Sequence, residues 1–344
     1  MKDLFLRIKE RLDKGEDLVL AVIVAASGST PRGPGAVMLV GGEGRLWGTI
    51  GGAAPEHLAI EEGKKLRGKN RSALKTYILH PHEAADIGAK CGGEFSVFLL
   101  PLASGDARLR AVMAAGIGGF NRREPEWFVF SLDETGPSIG FAGKDGTAAW
   151  AGEGPEDSAA LLKPRPAREQ RGEKTWFALP AAAEGFVYIF GGGHVAQALA
   201  PLLCGLDFRC VIFDDREEFT RPELFPPACG IIRGDFENIG ASLTLTEKDY
   251  AVVVTRGHAF DFQAEAFALR GPAPYIGVIG SRTKQDFIRG RLKDAGFTQA
   301  ELDAERVHAP IGIDIQSKTP AEVAISIAAE LILVRARMMS GEEE

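Results

Sequence analysis

Past the midpoint of the chain, Gly191-Gly192-Gly193-His194-Val195-Ala196 follows the apolar run Phe186 to Phe190. It precedes a segment in which Val195, Leu199 and Leu202 recur at helical spacing. The order strand, glycine turn, helix leaves few folds open. The turn brings backbone N–H groups together at the positive end of a helix, where they can hold a phosphate. Further strand-like runs follow at Phe208 to Phe213, Cys229 to Ile232, Tyr250 to Thr255 and Pro274 to Ile279. Their alternation with helices predicts a Rossmann-like parallel sheet with helices on both faces over residues 181–344. That unit closes with a long helix from Pro320 to about Met339, opened by the capping pair Thr319 and Glu322.

Roughly 180 residues precede this unit, enough for one more domain. Met1 to Lys14 places Leu4, Phe5, Ile8 and Leu12 on one face, an amphipathic helix and not a signal peptide. Strand-like runs follow at Leu18 to Ala25, Ala36 to Val40 and Arg45 to Ile50. A helix from Pro55 to Gly68 comes next, then strands at Leu74 to Leu79 and Glu94 to Leu100. These predict a separate α+β domain over residues 1–104. Residues 105–180 read as a connecting region: Trp127 to Leu132 and Thr175 to Leu179 are strand-like, and Gly152 to Arg171 is a loop rich in Gly, Pro and charge.

The net charge of −7 argues against a nucleic-acid partner. The longest apolar stretch, Val323 to Val334, contains Glu330 and is too short to span a bilayer, so no membrane segment is expected. Four cysteines form no disulfide framework and match no zinc spacing. Cys204, Cys210 and Cys229 sit on apolar runs and read as core residues, and a reducing cytoplasm is the expected compartment.

The candidate site gathers at the carboxyl ends of the predicted strands. Gly191, Gly193 and Ala196 form the phosphate cradle. Asp214, about twenty residues on, stands where an acid bonds a ribose hydroxyl. A glycine turn that binds nothing, with Asp214 as a loop cap, is the plain alternative. His194 begins the helix, where the dipole favours a neutral imidazole able to donate to a ligand, contact a metal or simply cap the turn. Arg256, His258 and Asp261 follow one strand, and Ser281 and Arg282 another. Each of these alone is commonly a solvated loop residue.

Two further clusters lie in the first half. Gly48-Thr49-Ile50-Gly51-Gly52 leads into a helix carrying Glu56 and forms a second potential anion site. Cys91, between Lys90 and Gly92, fits an exposed thiol of lowered pKa that ligates a soft metal or carries sulfur, although a small buried cysteine fits as well.

Several blocks together resemble the xanthine dehydrogenase accessory protein family of XdhC/CoxI type. They are Gly28-Ser29-Thr30-Pro31-Arg32, Gly48 to Gly52, Gly191 to Ala196, Thr255 to His258 with Asp261, and Ile279-Gly280-Ser281-Arg282. His308-Ala309-Pro310-Ile311-Gly312, Thr319-Pro320 and Ala324 to Glu330 complete the series. The resemblance implies a cytoplasmic maturation factor more than an enzyme in its own right. Such a factor binds the molybdenum cofactor, as molybdopterin or its dinucleotide form, and supports its sulfuration with a cysteine desulfurase. It then delivers the cofactor to an apo molybdenum hydroxylase of xanthine dehydrogenase type. Cys91 and His194 are the candidates for molybdenum contact, and the long closing helix suits a homodimer, the commonest assembly of soluble oligomers. Ala54 stands where many members have a cysteine two residues before the glutamate matching Glu56, and Ala53 where a third glycine is common. Thiol chemistry in the first half therefore falls to Cys91. The alternative is an NAD(P)-dependent oxidoreductase that uses the same turn, with His258 and Asp261 as an acid–base pair.

Overall fold

The computed structural model describes residues 1–79, 92–120, 126–182, 185–227, 229–256 and 258–340. The chain divides into two units, Met1–Ala182 and Ala183–Glu344.

In the first unit, β1 (Leu18–Gly28) is a long strand, apolar and buried over its first seven residues, at the middle of an antiparallel sheet. β2 (Val37–Val40) and β3 (Arg45–Gly48) flank it on one side, β5 (Gly93–Leu102) and β4 (Ala73–Leu79) on the other. Being central, β1 buries both its faces, so alternate residues serve different cores. Val19, Ala21 and Ile23 pack with Ala59 and Leu66 of helix α2 (Ala53–Leu66). Leu18, Leu20 and Val22 face the opposite way, toward α1 (Lys2–Asp13) and α3 (Ala107–Gly119).

That second core is shared with another five-stranded antiparallel sheet. Its strands are β6 (Glu126–Ser131), β7 (Ile139–Gly143), β8 (Ala148–Ala151), β9 (Ala167–Arg171) and β10 (Lys174–Ala182), in the order β8-β7-β6-β10-β9. Phe98 of the first sheet stacks on Phe130 of the second at 5.8 Å, and Phe5 of α1 meets the Phe141 ring at 4.9 Å. Residues 105–180, read from the sequence as a connecting region, are thus half of a two-sheet unit. The two apolar strands, β6 and β10, are the ones legible in the sequence, and they pair with each other. The strands added beside them are short, and β9 reads Ala-Arg-Glu-Gln-Arg, without β-propensity of its own. Cross-strand pairing with β10 overrides that preference.

The second unit is a six-stranded, wholly parallel sheet in the order β13-β12-β11-β14-β15-β16. The strands are β11 (Val187–Phe190), β12 (Cys210–Asp214), β13 (Gly230–Arg233), β14 (Tyr250–Val253), β15 (Tyr275–Val278) and β16 (Val307–His308). Read from β11 this is the 3-2-1-4-5-6 order of dinucleotide-binding sheets, with its switch point between β11 and β14. Helices cover both faces, as the alternation requires. Val187 and Ile189 pack with α4 (His194–Gly205) and α8 (Pro320–Ser340). Tyr188 and Phe190 pack with α5 (His258–Arg270) and α6 (Arg282–Asp294). The short α7 (Gln299–Leu302) leads to β16. Thr319 and Glu322 form the expected reciprocal cap of α8. Glu330, the charge inside the apolar run of α8, is satisfied by the Tyr275 hydroxyl at 2.5 Å and the Gly312 N–H at 2.9 Å. Among the described residues no helix is long and apolar enough to cross a membrane.

Candidate functional site

The sheet order brings the glycine turn beside the loop after β14, at the switch point. Gly191 has φ +108°, and a Cβ there would stand 2.6 Å from the Val254 carbonyl oxygen. Glycine is therefore required for the first position: the backbone is left-handed and the neighbouring strand end is in contact. Gly193 differs. It caps α4 with extended backbone, and a Cβ added to it would meet nothing within 4 Å. Gly193 at the N-cap of α4 makes no side-chain cap bond, and His194 at the first helical position is exposed. Ala196 is buried in the core beneath the helix, where a small side chain lets α4 lie close to the sheet. The turn thus leaves helix-start N–H groups and an open surface above Gly193, the arrangement an anion uses.

Asp214 acts from the inner side of the same turn. Its carboxylate accepts from the Gly192 N–H at 2.8 Å, and from the Arg216 backbone N–H and two guanidinium nitrogens at 3.0 Å each. Burial alone would raise its pKa. The Arg216 side chain and the Gly192 and Arg216 N–H groups outweigh that and hold it below the ordinary value. With four donors on two oxygens, Asp214 is an internal brace with no acceptor position left for a ribose hydroxyl. The spacing is the one expected of a ribose acid; the protein's own Arg216 takes that place.

The other loops at this edge are likewise linked. Arg256 is half-exposed, bonds Asp215 at 2.9 Å and lies over the Phe260 ring at 4.5 Å. Asp261 is fully buried. It accepts from the Thr255 hydroxyl at 2.6 Å and is ion-paired with Lys284. The His258 side chain, the expected acid–base partner of Asp261, lies outside the described residues. Ser281 caps α6 by accepting from the Lys284 N–H, and Arg282 is exposed at the first position of that helix. The structure therefore gathers Gly191, Gly193, His194, Asp214, Arg256, Asp261, Ser281 and Arg282 at one edge of the sheet. Of these, His194 and Arg282 are exposed, and the space above Gly193 is open.

Two participants have no motif to announce them. Lys284 neutralises Asp261. Glu265, one helical turn beyond Asp261 on α5, is 1% exposed. Burial, with the Asp261 charge adding to it, pushes its carboxyl up to about 7 against the opposing pull of Arg289. The signal in the sequence is two acids at i and i+4 on a helix face that otherwise buries Ala264, Ala268 and Leu269.

The glycine cluster of the first unit has a different outcome from the anion site expected of it. Glu56, on the first turn of α2, folds back into the loop. It accepts from the Ile50 and Gly52 N–H groups at 3.1 Å each and from the Thr49 hydroxyl, and pairs with Arg45 at 2.8 Å. Burial opposes its ionisation, but Thr49, Gly52, Ile50 and Arg45 together keep its pKa below the ordinary value. Gly51, at φ +126° with Pro31 packed against it, completes the turn. The anion of this site is the protein's own Glu56, so Gly51, Gly52 and Glu56 form a closed structural element. Cys91 lies outside the described residues.

Comparison with known proteins agrees with this architecture. The XdhC Rossmann domain model matches residues 187–331, and the XdhC and CoxI family model matches residues 11–77. The uncharacterized protein YqeB of Escherichia coli is 25% identical over 319 residues. The match covers 92% of this chain but only 43% of YqeB, so the chain spans less than half of that relative. A Bacillus subtilis protein, named as a probable subunit of xanthine dehydrogenase, is 25% identical over 337 residues, covering 95% of this chain and 96% of its own. A solved Bacillus halodurans structure, described as a xanthine dehydrogenase, shares the fold. Its TM-score is 0.72 at 22% identity, over 97% of this chain and 96% of that one.

Proposed function

The chain belongs to the XdhC and CoxI family, and from that premise we propose that it is an accessory factor of a xanthine dehydrogenase-type molybdenum hydroxylase. In this reading it binds the molybdenum cofactor, supports its sulfuration and hands it to the apo-enzyme. The Bacillus subtilis relative, matched over nearly its whole length and named for xanthine dehydrogenase, supports the association.

The observation that carries the reading is the open helix start at Gly193. The cofactor brings a terminal phosphate, or a pyrophosphate in its dinucleotide form, and the helix start is open to such a group, because a Cβ at Gly193 would meet nothing within 4 Å. The N–H groups that begin α4 would hold it, braced from within by Asp214 through Gly192. His194 and Arg282, exposed at the same edge, would supply a donor and a positive charge. The internal use of Asp214 and Asp261 weighs against the dehydrogenase alternative, which needs the first for a ribose and the second beside His258. Cys91 keeps its expected role in sulfuration on the strength of its sequence position. The outer face of α8 is the surface for self-association in this reading. Ile325, Ile332 and Leu333 are exposed along it, an apolar row that dimerisation would cover.

Anaerobic titration of the purified protein with molybdenum cofactor, followed by competition with excess NAD, tests the reading. Stoichiometric binding that NAD does not displace is expected. Gly193→Ala should abolish it while shifting thermal stability by no more than about 1 kcal/mol, since the added methyl meets only open space. Absence of cofactor binding, with micromolar NAD affinity instead, would give the site to a dehydrogenase.

A further inference from the structure

At the amino edge of the parallel sheet, opposite the glycine turn, three of the chain's four cysteines converge. Cys204 lies in the last turn of α4, Cys210 opens β12 and Cys229 immediately precedes β13. The topology explains the meeting. α4 returns from the carboxyl edge to the amino edge, and β12 and β13 both start there, with Val211 paired to Gly230. The three Sγ atoms lie within 4.8 Å of one another, and those of Cys204 and Cys229 are 3.4 Å apart.

Cys210 belongs to the core that also holds Leu203 and Phe208, and Cys204 and Cys229 pack against that core from its edge. The separations suit a different use. Thiolates bound to one tetrahedral cation at about 2.3 Å stand about 3.8 Å from each other, inside the range seen here. Cys210 is buried, whereas Cys204 and Cys229 are only half-buried, so the triangle has a closed inner corner and an edge that solvent reaches.

We propose that Cys204, Cys210 and Cys229 form a three-thiolate site for a soft d10 cation, Zn2+ or Cu+, on the edge of the sheet opposite the glycine turn. Soft sulfur donors without a carboxylate or imidazole select these ions over harder ones. Three sulfurs complete a trigonal Cu+ site; for Zn2+ they leave a fourth position toward the solvent edge. Each coordinating thiol gives up its proton to water on binding, so affinity rises with pH. The pattern escapes the sequence because helix end, strand start and preceding loop come together only in three dimensions.

The test uses the purified, fully reduced protein under anaerobic conditions, with Co2+ as the spectroscopic probe. One equivalent should produce thiolate-to-cobalt charge transfer, with proton release, and Zn2+ or chelator-buffered Cu+ should displace it; the stronger competitor identifies the ion. Cys204→Ser and Cys229→Ser, at partly exposed positions that spare the core, should each lose the band while far-ultraviolet circular dichroism is unchanged. Cys91→Ser should keep it. Folded wild-type protein that gives no charge-transfer band overturns the proposal. So does a band that survives in the Cys204→Ser/Cys229→Ser double variant.

Discussion

Two glycine-rich turns in this chain lead from a strand into a helix, and they end in opposite states. Between β3 and α2, the N–H groups of Ile50 and Gly52 are taken by Glu56, four residues beyond Gly52. Between β11 and α4, the acid sits on a different strand: Asp214 reaches only Gly192 and leaves the helix start uncovered. A helix N-terminus attracts negative charge whatever its source. An acid one turn into the following helix is close enough to supply that charge itself; an acid on the neighbouring strand stiffens the turn from behind and leaves its outer side open. The difference separates a structural loop from a candidate binding site.

The largest expected effect breaks the closed turn. Glu56→Ala removes the acceptor for two backbone N–H groups and a hydroxyl, which should cost about 2–4 kcal/mol in thermal or denaturant unfolding. If the turn is an anion site occupied by its own carboxylate, sulfate or phosphate should restore part of the loss in the variant and do little for the parent. No rescue at high sulfate would show that the closed and open turns are not the same kind of site.

Glu265, next to the open turn's supporting network, titrates in the opposite sense. Its folded pKa of about 7 lies above the ordinary 4.5, so the folded state holds the extra proton between those values. Stability should therefore fall as pH rises across that window, by up to about 3 kcal/mol. Glu265→Gln should flatten that slope, read from melting curves between pH 4.5 and pH 8; a slope that stays unchanged counts against the buried carboxyl.

Asp214→Asn acts on the brace of the open turn. Asp214 and Glu56 are both held below their ordinary values of 3.8 and 4.5. Their stabilisation is complete above those values and is lost as pH falls through the lower folded ones. The Asn variant should be about 2 kcal/mol less stable at neutral pH, with the deficit shrinking in acid. A deficit that persists at the lowest pH would point to packing and not to charge.

The smallest effect sharpens the closed turn. Ala53 carries φ +53°, a left-handed conformation that its Cβ disfavours. Ala53→Gly should stabilise the protein by roughly 0.5–1 kcal/mol, measured as a small rise in Tm. A fall in Tm would mean that the lost chain stiffness outweighs the relieved strain.

Much of this architecture is visible in the residues themselves. Apolar runs of four or five residues alternating with helical spacing mark β11, β12, β14, β15 and α4, because a strand buried on both faces has no polar positions to disguise it. The second sheet of the first unit is largely hidden. β9 is charged and polar, and it forms only because β10 offers a ladder of unpaired groups. The candidate site divides the same way. The glycine turn and its edge loops are evident from order and spacing, whereas Lys284 and Glu265 emerge only once α5 and α6 pack together.

What the sequence by itself determined is local: which segments are strands and helices, where the backbone must be glycine, and that phosphate-type turns precede two helices. What only the tertiary structure decided is which groups meet. It put Glu56 into one turn and left the other open, turned Asp214 inward onto Arg216, and brought Cys204, Cys210 and Cys229 to within 4.8 Å of one another. Backbone preference acts over a few residues and is written in them. The filling of a hydrogen-bonding site depends on which side chain arrives there, and that is set by strand order and helix packing across the whole unit.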